Sequence, residues 1–86
     1  MTVANPIINT FNADNGEQPL SWDPVIATVT VFTSIKNTNP VYIRDEQGNN
    51  AELHPGCEVR LERINLASVW LWGESGTVWY VVGQAG

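Results

Sequence analysis

The only histidine and the only cysteine of the chain stand three residues apart, in His54-Pro55-Gly56-Cys57. Zinc takes three or four such ligands, and a thiolate nucleophile takes a base in reach and a group that orients it, so this pair falls short of a site. Alternation through the following strand places Cys57 on an inward face, as a small buried hydrophobe, and leaves His54 at the surface beside the turn. Asp45, Asn49, Asn50 and Glu52 gather oxygens around Gly48. The spacing is not that of a calcium-binding EF-hand loop, and a tight turn by itself selects Asp, Gly and Asn. No Gly-rich phosphate loop, facing carboxylate pair or Ser-His-Asp set can be assembled. The sequence thus predicts no catalytic residue, no metal, no cofactor and no enzyme.

The tryptophans offer a different chemistry. Trp70, Trp72 and Trp79 lie in residues 68–82, where two runs of β-branched and aromatic residues flank Gly73-Glu74-Ser75-Gly76. That pattern predicts a β-hairpin with Trp70 facing Trp79, Leu71 facing Val78 and Val69 facing Tyr80. Trp70, Trp72, Trp79 and Val81 then share one face, and Val69, Leu71, Val78, Tyr80 and Val82 share the other. Neither face is polar, so the hairpin requires a cover on each side. The tryptophan face fits three roles: core, contact with another protein, or a platform on which sugar rings stack.

The elements that position these residues read as strands. Residues 25–32 alternate, with Val25, Ala27, Val29 and Val31 inward. Residues 41–44 follow with Val41 and Ile43 inward, and residues 51–54 alternate after the turn at Asp45–Asn50. Residues 57–63 alternate with Cys57, Val59 and Leu61 inward and Glu58, Arg60 and Glu62 outward. Val69, Leu71, Val78, Tyr80, Val59, Leu61 and Val29 form the expected core. No segment shows a helical period long enough for more than one turn, near residues 63–67. Gly83-Gln84-Ala85-Gly86 reads as a loose end. The expected fold is all-β: a small antiparallel β-sandwich or barrel of about six strands over residues 25–86. Residues 1–24 are rich in Asn, Asp and Pro but carry Ile7, Ile8, Phe11, Leu20 and Trp22, which predicts an extended N-terminal arm with apolar anchors.

Composition narrows the partners. Nine acidic residues against four basic ones, with a net charge of −5, argue against nucleic acid or an anionic membrane as partner. No apolar run approaches the roughly 20 residues of a membrane span, and residues 1–6 lack the basic start and apolar segment of a secretion signal. The expected place of synthesis and assembly is a cytoplasm. With 86 residues and a single cysteine, a marginal core with no internal disulfide points to oligomerisation.

Three stretches resemble a known family. The run Ser34-Ile35-Lys36-Asn37-Thr38-Asn39-Pro40-Val41-Tyr42-Ile43, then Leu53-His54-Pro55-Gly56 with Val59 and Leu61, then residues 69–77 ending Gly73-Glu74-Ser75-Gly76-Thr77, is similar to small all-β virion proteins of tailed bacteriophages. The resemblance covers about residues 25–82. It implies a capsid decoration (cement) protein or a small head, neck or tail component. It further implies a homo-oligomer, often a trimer, on the capsid surface, bound to the major capsid protein partly through an N-terminal arm. On this reading Ile7, Ile8, Phe11 and Trp22 lie on the capsid, and Trp70, Trp72 and Trp79 pack on a neighbouring subunit. A carbohydrate-binding module using the tryptophan face is the alternative.

Overall fold

The computed structural model describes residues 6–86; the first five residues of the expected arm lie outside this range. The chain forms two four-stranded antiparallel sheets, packed face to face as a β-sandwich. The strands are β1 (Pro6–Asn12), β2 (Gln18–Pro19), β3 (Ile26–Thr33), β4 (Val41–Arg44), β5 (Asn50–Leu53), β6 (Glu58–Asn65), β7 (Trp70–Gly73) and β8 (Val78–Ala85). One sheet runs β1-β8-β3-β6 and the other β2-β7-β4-β5. Single 3-10 turns, Ala13–Asn15 and Leu66–Ser68, are each opened by an asparagine side chain that accepts a backbone N–H.

The expected alternation builds the core. Ala27, Val29 and Val31 of β3 are fully buried, as are Val41 of β4 and Leu71 of β7. Val59, Leu61 and Ile43 pack half-buried against them. Asp45 makes the β4–β5 turn: its carboxylate accepts the N–H groups of Gln47 (2.9 Å) and Asn49 (3.0 Å).

The 68–82 segment departs from the expected hairpin. β7 pairs with β2 and β4, whereas β8 pairs with β1 and β3. The chain at Glu74–Thr77 therefore arches from one sheet to the other, and the face assignment does not carry across it. Leu71 points inward from one side, and Trp79 and Val81 meet it from the other, all with no exposed surface. Val78 and Tyr80, expected in the core, lie half-buried on the outer face instead. Alternation within each run was sound; the phase between the two runs was not.

Two further strands come from the arm. β1 is an edge strand paired with β8 at seven consecutive positions, from Pro6↔Gln84 to Asn12↔Val78, and β2 pairs with β7. Ile7 and Phe11 turn toward the core, and the Phe11 ring stacks parallel to that of Trp79 at 5.8 Å. Gly83, read as part of a loose end, is a central position of β8. An added Cβ would strike the Thr28 carbonyl oxygen and come within 2.7 Å of Val29 Cα, so only glycine allows β8 and β3 to approach this closely.

Cys57 is exposed, not buried, because β6 begins one residue later and Cys57 still belongs to the Pro55-Gly56 turn. β6 carries a bulge: Ala27 pairs with Ile64 but Val29 with Leu61. Glu62 and Arg63 thus oppose Thr28 alone, Arg63 adopts φ +48°, and its N–H is accepted by Thr28 Oγ1 at 3.1 Å. The extra residue returns Ile64 to the core side.

Candidate functional site

The outer face of the β2-β7-β4-β5 sheet collects four aromatic side chains, Trp22 exposed and Tyr42, Trp70 and Trp72 half-buried. Because Leu71 points inward, its neighbours Trp70 and Trp72 point outward. Each meets a residue of β4 directly across the ladder: Arg44 beside Trp70 and Tyr42 beside Trp72. The Tyr42 and Trp72 rings stack at 5.5 Å with planes 21° apart. Trp22 stands edge-on to Trp70 at 5.7 Å and is 73% exposed. The Arg44 guanidinium lies over the Trp70 ring, 5.4 Å from its centre, a cation–π arrangement.

Arg44 is held from a second side by Glu17, which accepts from Nε (3.0 Å) and Nη2 (2.8 Å). That fork keeps the Glu17 carboxyl below its ordinary range and raises the guanidinium further. Both groups are solvent-accessible, so the pair contributes orientation more than stability. The result is a surface of mutually packed rings: Trp70 has a cation on its face and Trp22 at its flank, while Tyr42 and Trp72 cover each other.

The opposite outer face is apolar as well. Ile8 of β1 sits beside Val82 of β8, and Thr10 beside Tyr80; Phe32 of β3 continues the second row, its ring 5.1 Å from that of Tyr80. Ile8 is 78% exposed and Val82 is also exposed.

The three tryptophans expected on one face are therefore separated: Trp70 and Trp72 share the outer face with Trp22, and Trp79 is in the core. Of the arm residues, Ile8 and Trp22 are exposed, but on opposite sheets, and Ile7 and Phe11 hold β1 on the core. Sequence reading missed Tyr42, Arg44 and Glu17 as members of the aromatic face, and Phe32, Tyr80 and Val82 as an outer patch. Tyr42 and Arg44 carried a signal, since they are the outward positions of a strand whose inward ones were correctly read. Glu17 reaches the site only through the β2–β7 pairing, which no local pattern announces.

The other chemistry-bearing residues serve the backbone. Thr33 Oγ1, buried at the end of β3, donates to the His54 carbonyl (2.7 Å) and accepts from Cys57 N (3.2 Å). Asp45 spends its carboxylate on Gln47 and Asn49, and Asn49 holds its carboxyl below the usual range. Among the described residues no group of three or more His, Cys, Asp or Glu side chains is placed to hold a metal ion. The chain matches no known protein family, no characterised protein and no solved structure.

Proposed function

We propose that the chain is a structural protein of a tailed-bacteriophage virion, a capsid decoration (cement) protein that self-associates and reinforces the head shell. The observation that carries this reading is that both outer faces of so small a sandwich present apolar and aromatic side chains. Ile8, Val82, Tyr80 and Phe32 lie on one, and Trp22, Trp70, Trp72 and Tyr42 on the other. An apolar patch on each side suits a subunit with neighbours on both sides, one a like subunit and one the major capsid protein. Contact with the shell then runs through Trp22 and the rings beside it, on a face already ordered before binding, which limits the entropy lost on docking. Many weakly held copies acting together reinforce a lattice.

The decisive experiment is the copy number in purified particles of the phage that encodes it, by quantitative protein staining. A fixed simple ratio to the major capsid protein, lost with Trp22→Ala/Trp70→Ala, is the expected result. A few copies per particle place the protein in the neck or tail, and none refutes a virion role.

The exposure of Trp22, edge-on to the Trp70 ring that carries Arg44, favours a second reading, carbohydrate binding. Quenching of tryptophan fluorescence by a glycan, abolished in Trp22→Ala, would establish it. Mutual packing of the remaining rings leaves little open aromatic surface for a sugar, which is why the protein-contact reading comes first.

A further inference from the structure

Ladder hydrogen bonds fix the direction in which each residue of β1 turns its backbone. Ala13 N donates to Thr77 O (2.9 Å), and Ser34 N donates to Val78 O (3.1 Å). Antiparallel pairs alternate between those that exchange both bonds and those that exchange none. In the β1–β8 register, Ile7, Asn9 and Phe11 therefore direct N–H and C=O to β8, while Ile8, Thr10 and Asn12 direct theirs to the open side. Among the described residues no strand pairs there. The Asn12 carbonyl already accepts Gln18 Nε2 (3.0 Å), and Pro6 has no N–H. Ile8 and Thr10, both exposed, keep complete outward backbone groups with no partner among the described residues.

The geometry points to a second copy of this chain as the occupant of that edge, joined antiparallel about a twofold axis at Asn9. In this register Ile8 exchanges both backbone hydrogen bonds with the second copy's Thr10, and Thr10 does so with the second copy's Ile8. Sliding the copies to set Ile8 on Ile8 brings Thr10 opposite Pro6, which cannot donate. Sliding them the other way brings Ile8 opposite Asn12, whose carbonyl is occupied. The central register alone leaves no outward backbone group of Ile8 or Thr10 without a partner, and it sets the two deficient positions, Pro6 and Asn12, opposite each other. It also lays Ile8 beside the second copy's Thr10 on the outer face, and Ile7 opposite the second copy's Phe11 on the inner one. Ile7 and Phe11 line an open cleft of about 530 Å³ between β1 and β2, so this pairing covers apolar surface that one copy leaves accessible.

Charge agrees with this choice of partner. The chain carries a net charge of −5, which opposes self-association wherever acidic residues meet, yet β1 has no charged residue. The contact is isologous, the same surface used twice, and it closes as a dimer; a ring of three requires two different surfaces. It is a different contact from the threefold one that the sequence resemblance implies, and it concerns the isolated chain, so it stands or falls separately from the capsid reading.

The test is the native mass of the purified full chain over a concentration series, by light scattering after size exclusion. The expected mass is twice 9.5 kDa. Thr10→Pro removes an outward N–H without touching the β8 ladder, and Asn9→Lys sets like charges on the axis while leaving every backbone group. Loss of the two symmetric hydrogen bonds in Thr10→Pro raises the dimer dissociation constant at least about tenfold, with unchanged circular dichroism. Asn9→Lys, at an exposed position, decides the matter if Thr10→Pro folds poorly. A monomer at every concentration, a trimer, or a dimer indifferent to both substitutions overturns the proposal.

Discussion

The two edges of the larger sheet, β1 and β6, are built on opposite plans. On β1 the backbone groups that face outward belong to Ile8 and Thr10, in a strand with no charge and an unbroken register. On β6 the ladder follows the same alternation, since Thr33 N donates to Cys57 O. The outward groups there belong to Glu58, Arg60 and Glu62, with Arg60 paired to Glu62 at 3.0 Å. The bulge at Glu62–Arg63 bends that edge further from a straight template. Charges and bulges are the devices by which sheet edges avoid unwanted pairing. One edge is guarded and the other is not, the difference expected if the open edge of β1 is the place of contact proposed above and the β6 edge a solvent boundary.

Substitutions in the core beneath β1 and along the two edges test this difference. The largest effect belongs to Trp79, whose ring carries β1 through Phe11. Trp79→Ala should cost about 3–5 kcal/mol in urea unfolding, with β1 losing amide protection before β6. Trp79→Phe should cost less, because the buried indole N–H has no partner among the described residues and phenylalanine removes that unpaired donor. Gly83→Ala comes next. It forces β8 away from Thr28 and Val29, and a loss of about 1–3 kcal/mol is expected from overpacking, read from the same unfolding curves.

A smaller change should transfer the behaviour of one edge to the other. Replacing Glu58, Arg60 and Glu62 by threonine removes the guard, and sedimentation should show species larger than the wild-type assembly. Arg63→Gly relieves a left-handed backbone position and should stabilise the fold by up to about 1 kcal/mol without altering association. The smallest effect is that of acid. The carboxyls of Glu17 and Asp45 are lowered below their ordinary 4.5 and 3.8. Their stabilising contribution is therefore present above those values and is lost as pH falls through the lower folded-state values. Thermal melts should show only a slight decline, absent in Glu17→Gln/Asp45→Asn.

Much of this architecture was legible in the sequence. Strict alternation revealed β3, β4 and the middle of β6, because a sandwich strand must bury every second residue. Turn residues marked the β4–β5 connection, where Asp45 uses its carboxylate on the turn itself. The hairpin reading of residues 68–82 failed because Gly-Glu-Ser-Gly serves an arch as readily as a hairpin, and alternation is silent on which strand lies alongside. β1 was hidden by its Pro, Asn and Thr content, although Ile7 and Phe11 at even spacing carried the trace of an inward face. The aromatic site was half visible: Trp70 and Trp72 follow from Leu71, but Trp22, Arg44 and Glu17 join them only through tertiary pairing. Trp79 was grouped on one face with Trp70 and Trp72 for the same reason that the hairpin was drawn.

Residue-resolved amide hydrogen exchange at several protein concentrations tests the unequal edges directly. If β1 is the contact edge, the N–H groups of Ile8 and Thr10 gain protection as concentration rises, while those of Glu58, Arg60 and Glu62 exchange rapidly throughout. Rapid exchange at Ile8 and Thr10 at every concentration, or equal protection along both edges, would contradict that role of β1.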